Sequence, residues 1–183
     1  MIGRLAWVAR LVTITSALCV VACSGSTEDG TPPGPSQANP LDAEESAMVQ
    51  AVNDLRAESG VQMVKDCATL NVSASKHSDD MRDQGYLADV APDGSTPRTR
   101  ACEAGYQAGC SQTTALAELV ASGIATAEGS LGQWTKQEST TKILVDPGLV
   151  ALGVGRADGG ESPYWTLDFG SVVEPSCDQA PAE

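Results

Sequence analysis

Two short apolar runs near the end of the sequence, separated by a turn, constrain the fold more than any other feature. Val150–Ala157 and Tyr164–Phe169 each have the length of a strand, and Asp158-Gly159-Gly160 lies between them. Asp-Gly and Gly-Gly pairs are typical of tight hairpin turns, because these residues adopt the positive φ that such turns require. The sequence therefore predicts an antiparallel hairpin, and with it a sheet against which the rest of the chain packs.

The segments before this hairpin have mostly helical patterns. Apolar residues recur at helical spacing between Asp42 and Gly60, and again from about Ala68 to Gln84. Thr114–Ala121 is predicted as a short helix and Ala127–Lys142 as a longer one, whereas Pro97–Gly109 is predicted as a loop. Helices followed by a terminal hairpin predict an α+β domain, with helices on the faces of a small, mostly antiparallel sheet.

The first 23 residues have the order of a secretory signal. Arg4 and Arg10 precede the apolar run Leu11–Ala22, and Cys23 follows directly. The run is shorter than the about 20 apolar residues that span a bilayer, so a membrane-spanning anchor is the less favoured alternative. Val20-Val21-Ala22-Cys23 resembles the lipobox of bacterial lipoproteins. We therefore expect residues 1–22 to be a cleaved signal peptide and Cys23 to be acylated.

The remaining chain is expected to consist of a tether, one domain and a short tail. Residues 23–41 are rich in Ser, Gly, Thr and Pro and have almost no apolar side chains, which predicts a flexible tether. The domain is expected over residues 42–177, with residues 178–183 as the tail. The protein is thus predicted to be an extracytoplasmic, membrane-anchored lipoprotein. Ser24, rather than Asp, after the cysteine implies the outer membrane or cell surface if the cell is Gram-negative.

Four cysteines lie outside the signal and the lipidation site. Four cysteines in an exported domain allow three disulfide pairings. Cys102 and Cys110 are close in sequence with two glycines between them, so we expect them to pair, and by elimination Cys67 pairs with Cys177. The competing interpretation is a zinc site, which is disfavoured because the chain has no Cys-x-x-Cys spacing and a single histidine, His77.

Net charge argues against two classes of partner. The formal charge of −13 argues against binding to nucleic acid and against electrostatic binding to anionic lipid surfaces.

Several motifs, taken in order, point to a known family. They are Asn53-Asp54-Leu55-Arg56, His77-Ser78, Gly85-Tyr86-Leu87-Ala88-Asp89, Pro92-Asp93-Gly94, Ala117-Glu118-Leu119-Val120 and Tyr164–Gly170. Their order and spacing over about residues 45–171 resemble the CAP superfamily, the SCP-domain group of cysteine-rich secretory proteins, antigen 5 and pathogenesis-related protein 1. The resemblance implies an α-β-α sandwich with the small sheet between helices.

The resemblance also implies a cleft that carries two histidines and two acidic residues, and this sequence departs from it at both histidines. Asp89 stands at the first histidine position and Thr140, judged by spacing, at the second. Glu118 matches one acidic residue, and Glu128 is assigned to the other. Because the imidazole pair is missing, we expect no bound metal and no cofactor.

These departures favour a non-enzymatic binding or envelope-interaction module. Its expected partners are the membrane, through the Cys23 anchor, and a lipid, glycan or protein ligand, and the protein is expected to be a monomer. The alternative is a hydrolase, acting on protein or glycan, in which Glu118 and Asp89 form a carboxylate pair. His77 is predicted to be a buried structural histidine one helix away from the cleft positions, with a general base as the alternative.

Overall fold

The computed structural model describes residues 40–159 and 162–177, in which a four-stranded sheet lies between two layers of helices. The helices are α1 (Ala43–Glu58), α2 (Ala68–Gln84), α3 (Pro97–Glu103), α4 (Ala127–Trp134) and α5 (Glu138–Leu144). The strands are β1 (Lys65–Asp66), β2 (Leu116–Ser122), β3 (Ala151–Ala157) and β4 (Tyr164–Gly170), and short 3-10 turns span Gln107–Cys110 and Pro175–Cys177. The predicted α+β class is confirmed.

The sheet has the strand order β1-β3-β4-β2 and is mostly antiparallel. Strands β3 and β4 pair from Ala151 with Gly170 to Ala157 with Tyr164, which confirms the predicted hairpin. On the other side of β4, β2 pairs antiparallel with it, and the two-residue β1 pairs parallel with β3. Strands β1 and β2 are therefore the sheet edges.

Local signals position the first two helices as predicted. Asp42 and Glu45 form a reciprocal capping box, in which each carboxylate accepts a hydrogen bond from the other residue's backbone N–H. Helix α2 ends at Gly85, whose φ of 69° is the left-handed conformation that favours glycine.

The predicted helix at Thr114–Ala121 is wrong. Residues Leu116–Ser122 form strand β2, which pairs along its whole length with β4. The segment is rich in Ala, Leu and Glu, which favour helix when isolated, but pairing with a distant strand outweighs that weak preference.

Two other predictions of secondary structure need correction. The helix predicted over Ala127–Lys142 is two helices, because α4 ends at Trp134 and α5 begins at Glu138. The loop predicted over Pro97–Gly109 contains α3, which has Thr96 as its N-cap and Pro97 in its first turn.

The two faces of the sheet differ in character. One face carries large apolar side chains that pack against α1, α4 and α5, among them Leu119, Val154, Trp165, Leu167 and Phe169. The other face, covered by α2 and α3, carries small or polar residues. A Cβ on Gly155 would lie 2.1 Å from the backbone nitrogen of Ser75, so glycine is what allows α2 to lie directly on β3.

The domain contains one long-range and one local disulfide, and they are the pairings expected from the sequence. Cys67, just before α2, is bonded to Cys177, so the end of the domain is fastened to the start of that helix. Cys102 in α3 is bonded to Cys110, which precedes β2.

In the part of the chain that is described, no helix has both the length and the apolar character needed to cross a membrane. The predicted signal peptide, Cys23 and the residue 178–183 tail lie outside the described residues, as does nearly all of the predicted tether.

Candidate functional site

A pair of buried acidic residues lies on the polar face of the sheet. Glu118 of β2 and Asp168 of β4 are direct register partners, and the next strand offers Gly153 at the same level. Side chains at such cross-strand positions are close enough to interact. Glu118 is 7% exposed and Asp168 is 3% exposed, and their carboxyl groups are close enough to shift each other's pKa.

This pair holds a proton at neutral pH. Burial, followed by the nearby charge of Asp168, raises the pKa of Glu118 to about 10. Burial also raises the pKa of Asp168, although the neighbouring Glu118 carboxyl group acts in the opposite direction. Two like charges this close in a buried environment cannot both form easily. The two carboxyl groups therefore share one proton.

Arg100 of α3 covers the pair and joins it to a neighbouring loop. Its Nη2 donates to Glu118 Oε1 at 2.9 Å and Oε2 at 2.8 Å, and to the backbone oxygen of Asp89 at 2.7 Å. Its Nη1 donates to the backbone oxygen of Ser95 at 3.0 Å. The guanidinium thus supplies the positive charge that faces the acidic pair, and it also holds both ends of residues 89–95.

His77 of α2 is a second contact between the buried pair and this loop. Its Nε2 lies 2.9 Å from the backbone oxygen of Ala88 and 3.5 Å from Glu118 Oε1. Burial and the charge of Arg100 lower the pKa of His77 to about 4, so the ring is neutral at pH 7. Because a carbonyl oxygen only accepts, the ring proton is on Nε2.

The structure corrects the expected position of His77. The residue is fully buried and hydrogen-bonded, as expected, but it does not lie one helix away from the cleft positions, since it approaches Glu118 directly. Its Nδ1 lies 3.5 Å from the hydroxyl of Tyr86, which donates a hydrogen bond to Asp80. A line of polar side chains therefore runs from the half-buried Asp80 to Glu118.

Asp89 lies at the edge of this cluster and contacts the cluster through its backbone. Its carbonyl oxygen binds Arg100, whereas the hydrogen bonds of the described residues include none to its carboxylate. Although Asp89 is exposed, partial desolvation of its carboxylate raises the pKa of that group, and Arg100 partly opposes the rise. Glu118 and Asp89 are thus connected through Arg100, and the residue paired directly with Glu118 is Asp168.

The other two expected cleft residues lie in elements that pack with the apolar face of the sheet. Glu128 is exposed in the first turn of α4. The Thr140 hydroxyl, in α5, donates to the carbonyl oxygen of Trp134 and lies 3.1 Å from that of Gln137. Within residues 40–159 and 162–177, no hydrogen bond or ion pair connects either residue to Glu118.

Sequence reasoning did not identify Arg100 or Asp168, although weak signals exist for both. Thr96-Pro97 is a typical helix start and would have placed Arg100 one turn into α3. Asp168 and Thr166 alternate with the apolar residues of β4, and a polar position inside a covered strand indicates a buried partner.

Three buried polar atoms in or beside this cluster, Ser73 Oγ, Arg100 Nε and Asp168 Oδ2, have no hydrogen-bond partner within the described residues. Within the same ranges, no three His, Cys, Asp or Glu residues are arranged to hold a metal ion. Chemically, the cluster can store one proton on the acidic pair and fix the backbone of the loop. It can transfer that proton to a substrate only after Arg100 moves.

Comparison with known proteins identifies the family to which the domain is similar. The family model described as the cysteine-rich secretory protein family, CAP, matches residues 49–169. The uncharacterized protein YkwD of Bacillus subtilis (strain 168) is 28% identical over 144 residues, which are 79% of this chain and 53% of that protein. The chain therefore spans about half the length of this curated relative.

Solved structures show the same fold. An outer surface protein from Borrelia burgdorferi aligns with a TM-score of 0.61 at 18% identity, covering 73% of this chain and 97% of that one. An extracellular protein containing an SCP domain from Bacillus anthracis aligns with a TM-score of 0.58 at 21% identity, covering 74% and 46%.

Proposed function

Because the chain belongs to the CAP family of cysteine-rich secretory proteins, we propose that it is a lipid-anchored, extracytoplasmic CAP domain that acts as a non-enzymatic binding or envelope-interaction module. Its anchor is an acyl-modified Cys23, and its ligand is a lipid, a glycan or a protein. The domain works as a monomer without a metal or cofactor. The formal charge of −13 supports partners other than nucleic acid.

The observation that carries this proposal is the state of Glu118. Its side chain has 0% exposure and is bound on both oxygens by Arg100. A general acid or base must come within hydrogen-bond distance of the substrate. A carboxyl group that is covered and already paired is better suited to holding neighbouring segments in place.

The names of the related structures support an extracytoplasmic location. One relative of the same fold is described as an outer surface protein and another as an extracellular protein. The lipoprotein-like sequence that ends at Cys23 is in agreement with such a location.

The test is a hydrolysis assay on the purified mature chain. Casein and bacterial cell-wall polymers are incubated with the wild type, with Glu118→Gln and with Glu128→Gln, the last being an exposed control. We expect no product above background from any of the three. Product formed by the wild type and Glu128→Gln, but not by Glu118→Gln, would overturn the proposal.

One observation favours hydrolysis as the second candidate function. The raised pKa of Glu118, about 10, keeps a proton on the acidic pair at neutral pH, as a general acid requires. In this alternative Arg100 moves away, Glu118 donates its proton, and Asp89 at the edge of the cluster acts as the second carboxylate. The same three-protein assay distinguishes the two functions.

A further inference from the structure

We propose that residues Leu87–Val90, called the 87–90 loop below, form a preordered docking site for a basic, apolar segment of a partner protein. The proposal rests on the proposed binding function, because it names the surface and the class of partner through which that function operates. It is carried by three properties of the loop: exposed apolar side chains, a fixed backbone and unpaired negative charge.

The loop exposes apolar side chains next to one another. Leu87 is 49% exposed and Val90 is 53% exposed. Ala88 and Asp89 between them are also exposed, so three of four consecutive residues present apolar groups to solvent. Single exposed apolar residues are ordinary, but adjacent ones in a single loop are typical of interaction sites.

Buried side chains fix the backbone that presents these residues. The carbonyl oxygens of Ala88 and Asp89 accept hydrogen bonds from His77 at 2.9 Å and from Arg100 at 2.7 Å. Immediately after the loop, Ala91 is 5% exposed, and its N–H donates to the Ser95 oxygen at 3.0 Å. A loop held in one conformation before binding loses little entropy on binding, which raises affinity for a fixed set of contacts.

The charge around the loop determines the kind of partner. Asp80, Asp89 and Asp93 take part in none of the ion pairs recorded for the described residues. The basic residues nearby are already engaged, since Arg82 pairs with Asp79 and Asp83, and Arg100 pairs with Glu118. An apolar loop with uncompensated carboxylates complements a segment that carries both apolar and basic side chains, and it repels an anionic membrane.

The experiment uses a labelled amphipathic peptide of Leu and Lys, with a matched Leu and Glu peptide of the same length. The full mature chain is titrated, and binding is followed by fluorescence anisotropy at two salt concentrations. We expect the Leu-Lys peptide to bind and the Leu-Glu peptide not to bind. The double variant Leu87→Ser/Val90→Ser should weaken binding about tenfold or more, as expected for apolar anchor residues.

Two further variants make the test specific. Val172→Ser/Val173→Ser removes two exposed apolar residues, each 41% exposed, from a different segment, and should change affinity by less than about twofold. Asp89→Asn should weaken binding several-fold and reduce its dependence on salt, because one carboxylate is lost.

Three results would overturn the proposal: no binding of the Leu-Lys peptide, equal binding of both peptides, or equal losses in the two double variants. Binding to vesicles of anionic or neutral lipid that depends on Leu87 and Val90 would assign the loop to a membrane instead. Any of these results with no hydrolysis of casein or cell-wall polymers would reject this docking site and leave the proposed binding function standing.

Discussion

At the scale of single residues, the buried cluster balances its charges by sharing a proton. With one proton shared by Glu118 and Asp168, the remaining carboxylate charge and the Arg100 guanidinium leave the group with no net formal charge. Adding the second negative charge by removing this proton would leave the interior with an unbalanced carboxylate, which is costly in a buried environment. The neutral His77 at 3.5 Å from Glu118 fits this balance, because a protonated ring would place a second cation near Arg100.

Part of this site could be predicted from the sequence and part could not. The motif around Glu118 identifies that residue, because its neighbours lie beside it in the chain. Asp168 and Arg100 become its partners only when β2 pairs with β4 and α3 packs beside both, and neither contact is encoded by local spacing. Sequence reasoning therefore assigned Asp89 as the second carboxylate, whereas the strand register places Asp168 opposite Glu118.

The lowered pKa of His77 predicts a loss of stability in acid. The folded pKa is about 4 and the reference value is 6.5, so the unfolded chain takes up this proton first as the pH falls. The contribution of His77 to the free energy of unfolding is complete above about pH 6.5 and is lost as the pH falls to about 4. A shift of this size corresponds to about 3 kcal/mol in the free energy of unfolding.

Urea unfolding of the wild type and His77→Gln at pH 7 and pH 4.5 measures this effect. Glutamine can still donate to the Ala88 carbonyl but does not titrate, so the variant should lose less stability between the two pH values. The difference between the two proteins removes the contribution of the carboxylates that titrate in both. An equal loss of stability in the two proteins would show that His77 does not respond in this way.

At the scale of secondary-structure elements, the segments with strong local signals are the ones that the sequence predicted. The capping box at Asp42, the left-handed Gly85 and the hairpin turn each involve residues close in sequence. Strand β2 has no such signal, because its composition favours a helix and its pairing partner lies about fifty residues later. Helix α3 is a different case, since its Thr96-Pro97 start is a local signal, although the segment was predicted as a loop.

The contact of α2 with β3 depends on glycine, which gives a prediction at this scale. A Cβ at Gly155 would lie 2.1 Å from the backbone nitrogen of Ser75 and 2.2 Å from the Ala74 carbonyl carbon. Backbone atoms cannot move aside as a flexible side chain can, so the helix must shift. We expect Gly155→Ala to destabilise the domain by about 1–3 kcal/mol or more.

Gly132→Ala in α4 is the matched control, because a Cβ there has no heavy atom within 4 Å. Alanine also favours helix over glycine by about 1 kcal/mol, so this variant should be neutral or more stable. Thermal unfolding of both variants compares the two sites. Equal melting temperatures for Gly155→Ala and the wild type would contradict the close approach of α2 to the sheet.

At the scale of the whole molecule, both ends of the domain are fastened to the sheet or to its neighbouring helix. At the start, Glu45 accepts a hydrogen bond from the Arg156 backbone at 2.8 Å, and Asp42 forms an ion pair with its guanidinium at 3.2 Å. At the end, the Cys67–Cys177 disulfide joins the last 3-10 turn to the start of α2. The chain thus enters the folded domain beside the hairpin end of β3. An anchor before Asp42 would therefore be connected to the domain at this position.

The proposed anchor predicts how the whole protein partitions between membrane and soluble fractions. Acyl chains on Cys23 would retain the protein through burial of hydrocarbon, at about 0.8 kcal/mol for each methylene group. High salt should therefore leave the protein in the membrane fraction, and detergent should release it.

Cys23→Ser removes the acylation site, and the remaining apolar run Leu11–Ala22 is shorter than the about 20 residues that a spanning helix needs. We expect most of this variant in the soluble fraction, while the control Cys19→Ser stays membrane-bound. If Cys23→Ser remains with the membrane as firmly as the wild type does, Cys23 is not the anchor and another segment holds the protein there.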